Sequence, residues 1–163
     1  MEGGSRIAGQ LEEAARACAR EGSTLTELRR LVLGLILEAE GPLTAYQLLD
    51  RLKQTRKGAV PPTVYRALDF LLARRLIHKV ESLNAFVPCI EPAQHGHQAQ
   101  FLICRACGAV TELEDHAIAE ALTRATARHG FQPVNALIEV TGVCAACARA
   151  GEAAPEAVPP PRA

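Results

Sequence analysis

The chain has 163 residues, 48% of them apolar but only 4% aromatic and none tryptophan, so aliphatic side chains must build the core of one medium domain or two small ones. No run of about 18 apolar residues occurs, which excludes a membrane-spanning helix, and Met1-Glu-Gly-Gly-Ser lacks the basic start and apolar stretch of a signal peptide. The formal net charge is zero but unevenly spread: Asp50 to Lys79 holds eight bases (Arg51, Lys53, Arg56, Lys57, Arg66, Arg74, Arg75, Lys79) against Asp50 and Asp69, and Glu91 onward holds five bases and eight acids. A basic segment ahead of an acidic one predicts a polyanion-binding domain joined to something else. The expected location is the cytoplasm, where six cysteines read as ligands rather than disulfides.

In chain order, residues 6 to 20 place Ile7, Leu11, Ala14 and Cys18 on one helical face, which makes Cys18 a small core hydrophobe. Thr26 to Ala39 repeats the pattern with Leu28, Leu31, Val32, Leu35 and Ile36, and Gly41-Pro42 is expected to end that helix. Thr44 opens a third helix, with Gln47 completing a capping box and Leu48, Leu49 and Leu52 facing inward. After a short basic loop, Pro61-Pro62-Thr63 leads into a helix from Val64 to Arg75 with Val64, Ala67, Leu68 and Leu71 inside. Ile77–Ser82 and Ala85–Pro88 read as a hairpin turning at Leu83-Asn84.

Helices followed by a hairpin predict a winged helix-turn-helix over residues 1–88. Val64–Arg75 would be the major-groove helix, with Thr63, Tyr65 and Arg66 at its leading end. Tyr46 is placed to touch the DNA backbone, and Lys53 and Lys57 to contact phosphates. Residues 89–100, with Pro92 and Gly96 and no periodicity, read as a hinge. The second domain, 101–150, is expected as strand (Phe101–Cys104), knuckle, strand (Ala109–Leu113), helix (Asp115–Arg128) and strand (Val134–Thr141). Glu114 and Asp115 would complement the helix dipole. The fold class is therefore α+β, with a proline-rich tail, 151–163, too poor in apolar residues to pack.

The second domain is organised around two Cys-x-x-Cys pairs, Cys104/Cys107 and Cys144/Cys147. Two thiolates on a tight turn grip one ion, Gly108 lets the chain fold back, and two such pairs close a Cys₄ tetrahedron, the usual structural zinc site. The competing reading is a dithiol catalyst, which needs one pair at the head of a helix. The first pair instead lies between strand-like runs. A further group of donors brackets the hinge: His78, Cys89, His95, His97 and Glu112. A four-coordinate set of one thiolate, two imidazoles and one carboxylate favours zinc over iron(II) or manganese.

Pro62-Thr-Val-Tyr-Arg-Ala-Leu-Asp-Phe-Leu71, Ile77-His-Lys-Val-Glu-Ser82, Cys104-Arg-Ala-Cys-Gly108 and Cys144-Ala-Ala-Cys147 together resemble the ferric uptake regulator family, most of all its zinc uptake regulator branch. The resemblance covers roughly residues 10 to 148. It implies a bacterial dimeric repressor with an N-terminal winged helix and a C-terminal α/β dimerisation domain, binding palindromic double-stranded operator DNA and acting on no small-molecule substrate. It implies two Zn²⁺ per chain: a structural ion on Cys104, Cys107, Cys144 and Cys147, and a regulatory ion on His78, Cys89, His97 and Glu112. His95 is left as a hinge residue.

Departures from the family pattern narrow the metal. Iron-sensing members carry His-His-Asp-His before the first Cys-x-x-Cys, where this chain has Gln98-Ala-Gln-Phe101. They also carry a histidine after the asparagine matching Asn135, where this chain has Ala136. Peroxide-sensing members use oxygen- and nitrogen-rich sites, whereas Cys89 supplies sulfur. The expected function is thus a non-enzymatic, zinc-responsive repressor of zinc uptake genes. The alternatives are a regulator answering to iron, manganese or nickel, a thiol oxidoreductase using Cys104/Cys107, and an adaptor that touches only protein.

Overall fold

The computed structural model describes residues 2–56, 58–89, 99–134 and 136–151, and the chain divides into two compact units, Met1–Gly96 and His97–Ala163. The first unit contains helices α1 (Glu2–Arg20), α2 (Glu27–Leu37), α3 (Ala45–Thr55) and α4 (Pro61–Ala73). Its strands are β1 (Leu43–Thr44), β2 (Ile77–Val80) and β3 (Ala85–Pro88), paired antiparallel in the order β1-β3-β2. Val32, Ile36, Leu48, Leu52, Val64, Leu68, Leu71 and Ile77 form one continuous buried cluster, which Ala14 and Cys18 of α1 join. The helical spacing of apolar residues therefore marks the inner face of each helix in this unit, except that Leu31, expected inside, is exposed while Leu33 and Gly34 are buried; Cys18 is part of the core.

The ends of the elements have local causes. The Thr44–Gln47 capping box forms as expected: the Gln47 N–H donates to Thr44 Oγ1 (3.3 Å) and the Thr44 N–H to Gln47 Oε1 (2.8 Å). The second helix ends at Leu37, short of Gly41-Pro42, which instead lead into β1. The fourth helix begins at Pro61 rather than Val64, because a proline in the first turn lacks only an N–H that would have no partner there, and its fixed φ suits the helix. It ends at Ala73, not Arg75. Arg75 turns left-handed (φ 53) and the N–H groups of Arg75 and Leu76 donate back to Leu72 and Leu71, a Schellman closure. The hairpin turn is also longer than Leu83-Asn84. Glu81–Leu83 form a 3₁₀ turn and Asn84 is left-handed, so Val80 pairs with Ala85 and Glu81 and Ser82 lie outside the strand. The two-residue strand β1 was not expected.

The second unit is a three-stranded sheet in the order β5-β4-β6, from β4 (Ala99–Cys104), β5 (Val110–Leu113) and β6 (Leu137–Gly142), with helices α5 (His116–Arg128) and α6 (Ala145–Arg149). Strand β4 runs antiparallel to β5 and parallel to β6. Ala99 and Gln100, expected in the hinge, already belong to β4. Asp115 is the N-cap of α5, its carboxylate accepting from the Ala117 and Ile118 N–H groups (2.8 and 3.3 Å), a tighter role than a charge near the dipole. The last strand starts at Leu137, later than Val134, and α6 follows it unannounced. Residues 90–98 of the hinge, with His95 and His97, and the tail beyond Gly151 lie outside the described residues, as does Lys57.

Arg75 is the C′ residue of α4 and pays the steric cost of a left-handed backbone, which glycine avoids. Arg75→Gly is expected to raise stability by about 1 kcal/mol, read from urea unfolding. An unchanged or lower midpoint would show that the closure is not under strain.

Candidate metal centre and nucleic-acid face

Pairing of β4 with β6 carries the two knuckles to one place. Their register ends with Cys104 opposite Gly142, two residues before Cys144, and the Arg105 N–H continues the pairing onto Gly142 O at 2.8 Å. The first knuckle folds back as the Gly108 N–H donates to Cys104 O (2.9 Å) and the Cys104 N–H to Ala109 O (2.8 Å). Gly108 holds φ 74, a value that explains a glycine there. The second knuckle becomes the first turn of α6: Cys144 is its N-cap and its carbonyl accepts from Ala148 at 2.9 Å.

The four sulfurs lie within 4.8 Å of one another, and Cys107 Sγ is 3.9 Å from Cys144 Sγ. A tetrahedron with Zn–S bonds of about 2.3 Å has edges of about 3.8 Å, so the donor set fits one zinc ion. Cys104 and Cys147 are buried, Cys144 is half-buried and Cys107 is exposed. Backbone donors prepare the thiolates. The Cys107 N–H and then the Cys144 N–H (3.3 Å from Cys104 Sγ) lower the Cys104 thiol to about 6, and the Cys147 N–H lowers Cys144. At Cys107 the Ala109 N–H favours the thiolate, but the bond to Cys104, with smaller contributions from burial and Cys144, leaves that thiol raised. All six cysteines are thiols, with no disulfide. The second pair does stand at a helix head, yet it converges with the first instead of forming an isolated dithiol.

Of the expected second donor group, His78 lies half-buried on β2 and Cys89 is buried just after β3. The Cys89 N–H is held by Leu76 O (3.1 Å), and the two ligand atoms are within 4.8 Å of each other. Glu112 is half-buried on β5, paired across from Phe101.

On α4, Val64, Ala67, Leu68 and Leu71 are buried while Tyr65 and Arg66 are exposed and Thr63 is half-buried, all in the first turns. Tyr46 on α3 is 75% exposed and Tyr65 48%, high for aromatic side chains in a unit with a complete apolar core. Lys53 is exposed in the last turn of α3, 3.9 Å from Asp50.

Two positioning features were not read from the sequence. Arg29 stacks on Phe70 at 3.5 Å from the ring centre, and Arg74 pairs with Glu21, so the C-terminal half of α4 is tied to α1 and α2. Gln100, buried, donates to the carbonyl of Asp115 (3.1 Å) and ties the start of α5 to β4. Neither leaves a signal in spacing, since arginine and glutamine are usually surface residues.

A winged helix followed by a small sheet unit with a Cys₄ cluster defines a metal-dependent DNA-binding regulator of α+β class. The chain belongs to the ferric uptake regulator family, whose sequence model matches residues 20–141. It is 42% identical over 137 residues to the zinc uptake regulation protein of Escherichia coli (strain K12), covering 84% of this chain and 80% of that protein. Among solved structures, a zinc uptake regulator complexed with zinc and DNA superposes with a TM-score of 0.86 at 39% identity, covering 90% of this chain and 98% of the other. The crystal structure of holo XcZur gives 0.79 at 45%, covering 85% and 96%. The family consists of regulators rather than enzymes, and zinc is the metal that these relatives and the Cys₄ cluster point to.

Cobalt(II) replacing zinc in the cluster is expected to give the strong absorption of a tetrahedral tetrathiolate complex. The weak bands of an octahedral ion would reject the closed site.

Proposed function

We propose that this chain is a zinc-responsive repressor of zinc uptake genes, a cytoplasmic homodimer that binds palindromic operator DNA with Zn²⁺ as corepressor. The observation that carries this reading is the likeness along nearly the whole chain to a regulator solved with zinc and DNA, at a TM-score of 0.86 and 39% identity. The absence of the histidine-rich run at Gln98–Phe101 and the sulfur of Cys89 favour zinc over iron, manganese or nickel. Four converging cysteines and the exposed leading end of α4 disfavour the oxidoreductase and the protein-only adaptor.

Two zinc ions per chain are assigned. Cys104, Cys107, Cys144 and Cys147 hold the structural ion, whose binding is folding free energy for the small sheet unit. His78, Cys89, His97 and Glu112 hold the regulatory ion; the proximity of the first two donors supports this. Thr63, Tyr65 and Arg66 enter the major groove, and Tyr46, Lys53 and Lys57 hold the backbone. The regulatory ion takes ligands from the winged-helix unit and from the unit that follows it, so it restricts the segment that joins them. Among the separations open to two winged helices of a dimer, only a few place both recognition helices one helical turn apart on DNA, and the ion selects these.

On DNA, Arg66→Ala is expected to weaken operator binding and Tyr65→Ala to relax its sequence preference, by about 1–3 kcal/mol per base contact. Lys53→Ala and Lys57→Ala should weaken all sequences alike and flatten the salt dependence. Equal losses on operator and random duplexes for Tyr65 and Arg66 would move the recognition surface elsewhere.

For the metal, DNA binding titrated against buffered free zinc, iron and manganese should respond to zinc at the lowest free concentration. Operator DNA should tighten zinc binding at the regulatory site by the factor by which zinc tightens DNA binding. Cys89→Ser and His97→Ala should keep the fold, the dimer and the Cys₄ zinc, and lose zinc-dependent repression. A Cys89→Ser protein that still represses at ordinary free zinc would defeat this assignment.

A further inference from the structure

Accessibility is distributed very unevenly over the six cysteines. Cys18, Cys89, Cys104 and Cys147 are 1–7% exposed and Cys144 is intermediate, so Cys107 alone is exposed. Its knuckle is bare. Ala106, Gly108 and Ala109 are exposed, and a side chain built on Gly108 would meet nothing within 4 Å. A metal-bound sulfur is a thiolate, and which of several thiolates reacts with an electrophile is then decided by access. The Cys144 sulfur, the second most accessible of the four, lies 3.9 Å from that of Cys107. Cys104, the sequence neighbour in the knuckle, is buried, with its sulfur already accepting the Cys144 N–H.

We propose that the Cys107–Cys144 edge of the cluster is an oxidative modification site, at which a peroxide-class oxidant forms a disulfide and expels the zinc. This rests on the reading of the cluster as a zinc site. Cys107 Sγ attacks one peroxide oxygen, the O–O bond breaks, and sulfenic acid forms as the departing oxygen takes a proton and leaves as water. Cys144 Sγ attacks the sulfenic sulfur, the S–O bond breaks, and a second proton carries that oxygen off as water. Two thiolates, one hydrogen peroxide and two protons thus give one disulfide and two waters. The sulfurs close by about 2 Å to reach disulfide distance. Cys104 and Cys147 remain as the only thiolate ligands, too few for a closed four-coordinate site, and the ion is released. The four thiolates are then both a structural clamp and a point at which oxidants unload the regulator.

The test uses the full-length zinc-loaded protein and begins with its metal content. A reduced protein whose cysteines bind no zinc fails the site reading itself, before any oxidant is added. Substoichiometric hydrogen peroxide follows, with released zinc read by a chromophoric chelator and remaining thiols trapped with N-ethylmaleimide for mass mapping. The expected result is zinc release in proportion to a peptide that joins Cys107 to Cys144, reversed by a dithiol reductant and added zinc. A first disulfide within either Cys-x-x-Cys pair, prior oxidation of Cys89, or zinc retained under excess peroxide would overturn the proposal. Cys107→His retains a zinc-ligand side chain and is expected to release zinc at least about tenfold more slowly, the remaining thiolates being less accessible. Release as fast as in the natural protein would count against it, and if this variant binds no zinc the peptide map decides.

Discussion

Parallel pairing of β4 with β6 is the constraint on which the C-terminal unit depends. It sets Cys104 against Gly142 and so brings thiols forty residues apart in sequence to one point. Little else in the unit could hold that arrangement. Among its described residues only Gln100, Phe101, Ile103, Cys104 and Cys147 are buried, and α5 buries none of its side chains. Closing a loop of about 36 residues costs on the order of 3 kcal/mol, more than two buried hydrophobes return with any margin once side-chain entropy is counted. A metal bound by both knuckles offsets that cost directly, as it does in other small domains without a large core. The exposed Leu102 and Val140, paired across β4 and β6, are the kind of surface that a homodimer covers.

The N-terminal unit is organised in the opposite way. Its core runs unbroken through all four helices and the sheet, and no metal is needed to close it. What the DNA-binding reading requires is a helix whose first turns are exposed while its far end is fixed. That is how α4 is built: prolines start it, Val64, Ala67, Leu68 and Leu71 bury its inner face, and a Schellman closure ends it. The Arg29–Phe70 stack and the Arg74–Glu21 pair add lateral anchors near the closed end. The ion pair is partly solvated and contributes little by itself, so the stacking of the Arg29 guanidinium on Phe70 is the stronger tie.

Features carried by a residue type at a fixed spacing were legible in the sequence. The capping box at Thr44–Gln47, the inner faces of four helices and the two thiol pairs are of this kind, because each rests on a local rule that tertiary structure had no reason to override. Features that exist only through a distant partner were not. Leu43–Thr44 is too short to show alternation and is a strand only because Phe86 and Ala85 pair with it. Gln100 is buried where its side chain donates to the distant Asp115 carbonyl, and no pattern announces that. The early start of α4 was readable in principle: two consecutive prolines before an amphipathic run fit the first helical turn better than the loop before it. For the candidate site, the closed cluster was legible down to its four residues. Of the other donors, spacing alone left five around one stretch, and only the family resemblance reduced them to four.

This division of labour limits how a metal response can arise. A recognition helix that is packed and capped without metal cannot be switched by ordering the helix itself, because it is already ordered. Neither is a metal ligand found among Thr63, Tyr65 and Arg66, so on the proposed reading the ion adds no contact to DNA. What remains, on the proposed reading, is the disposition of two preformed winged helices in a dimer, which the regulatory ion restricts. Such a response is a shift of population, and moving a competent state from about 1% to 99% takes roughly 5.5 kcal/mol of differential affinity. Coordination by a thiolate and imidazoles is one of the few interactions of a single small ligand strong enough to supply it. On the proposed reading, a structural ion in the sheet unit serves the same end in another way, because it makes that unit rigid before the regulatory ion binds.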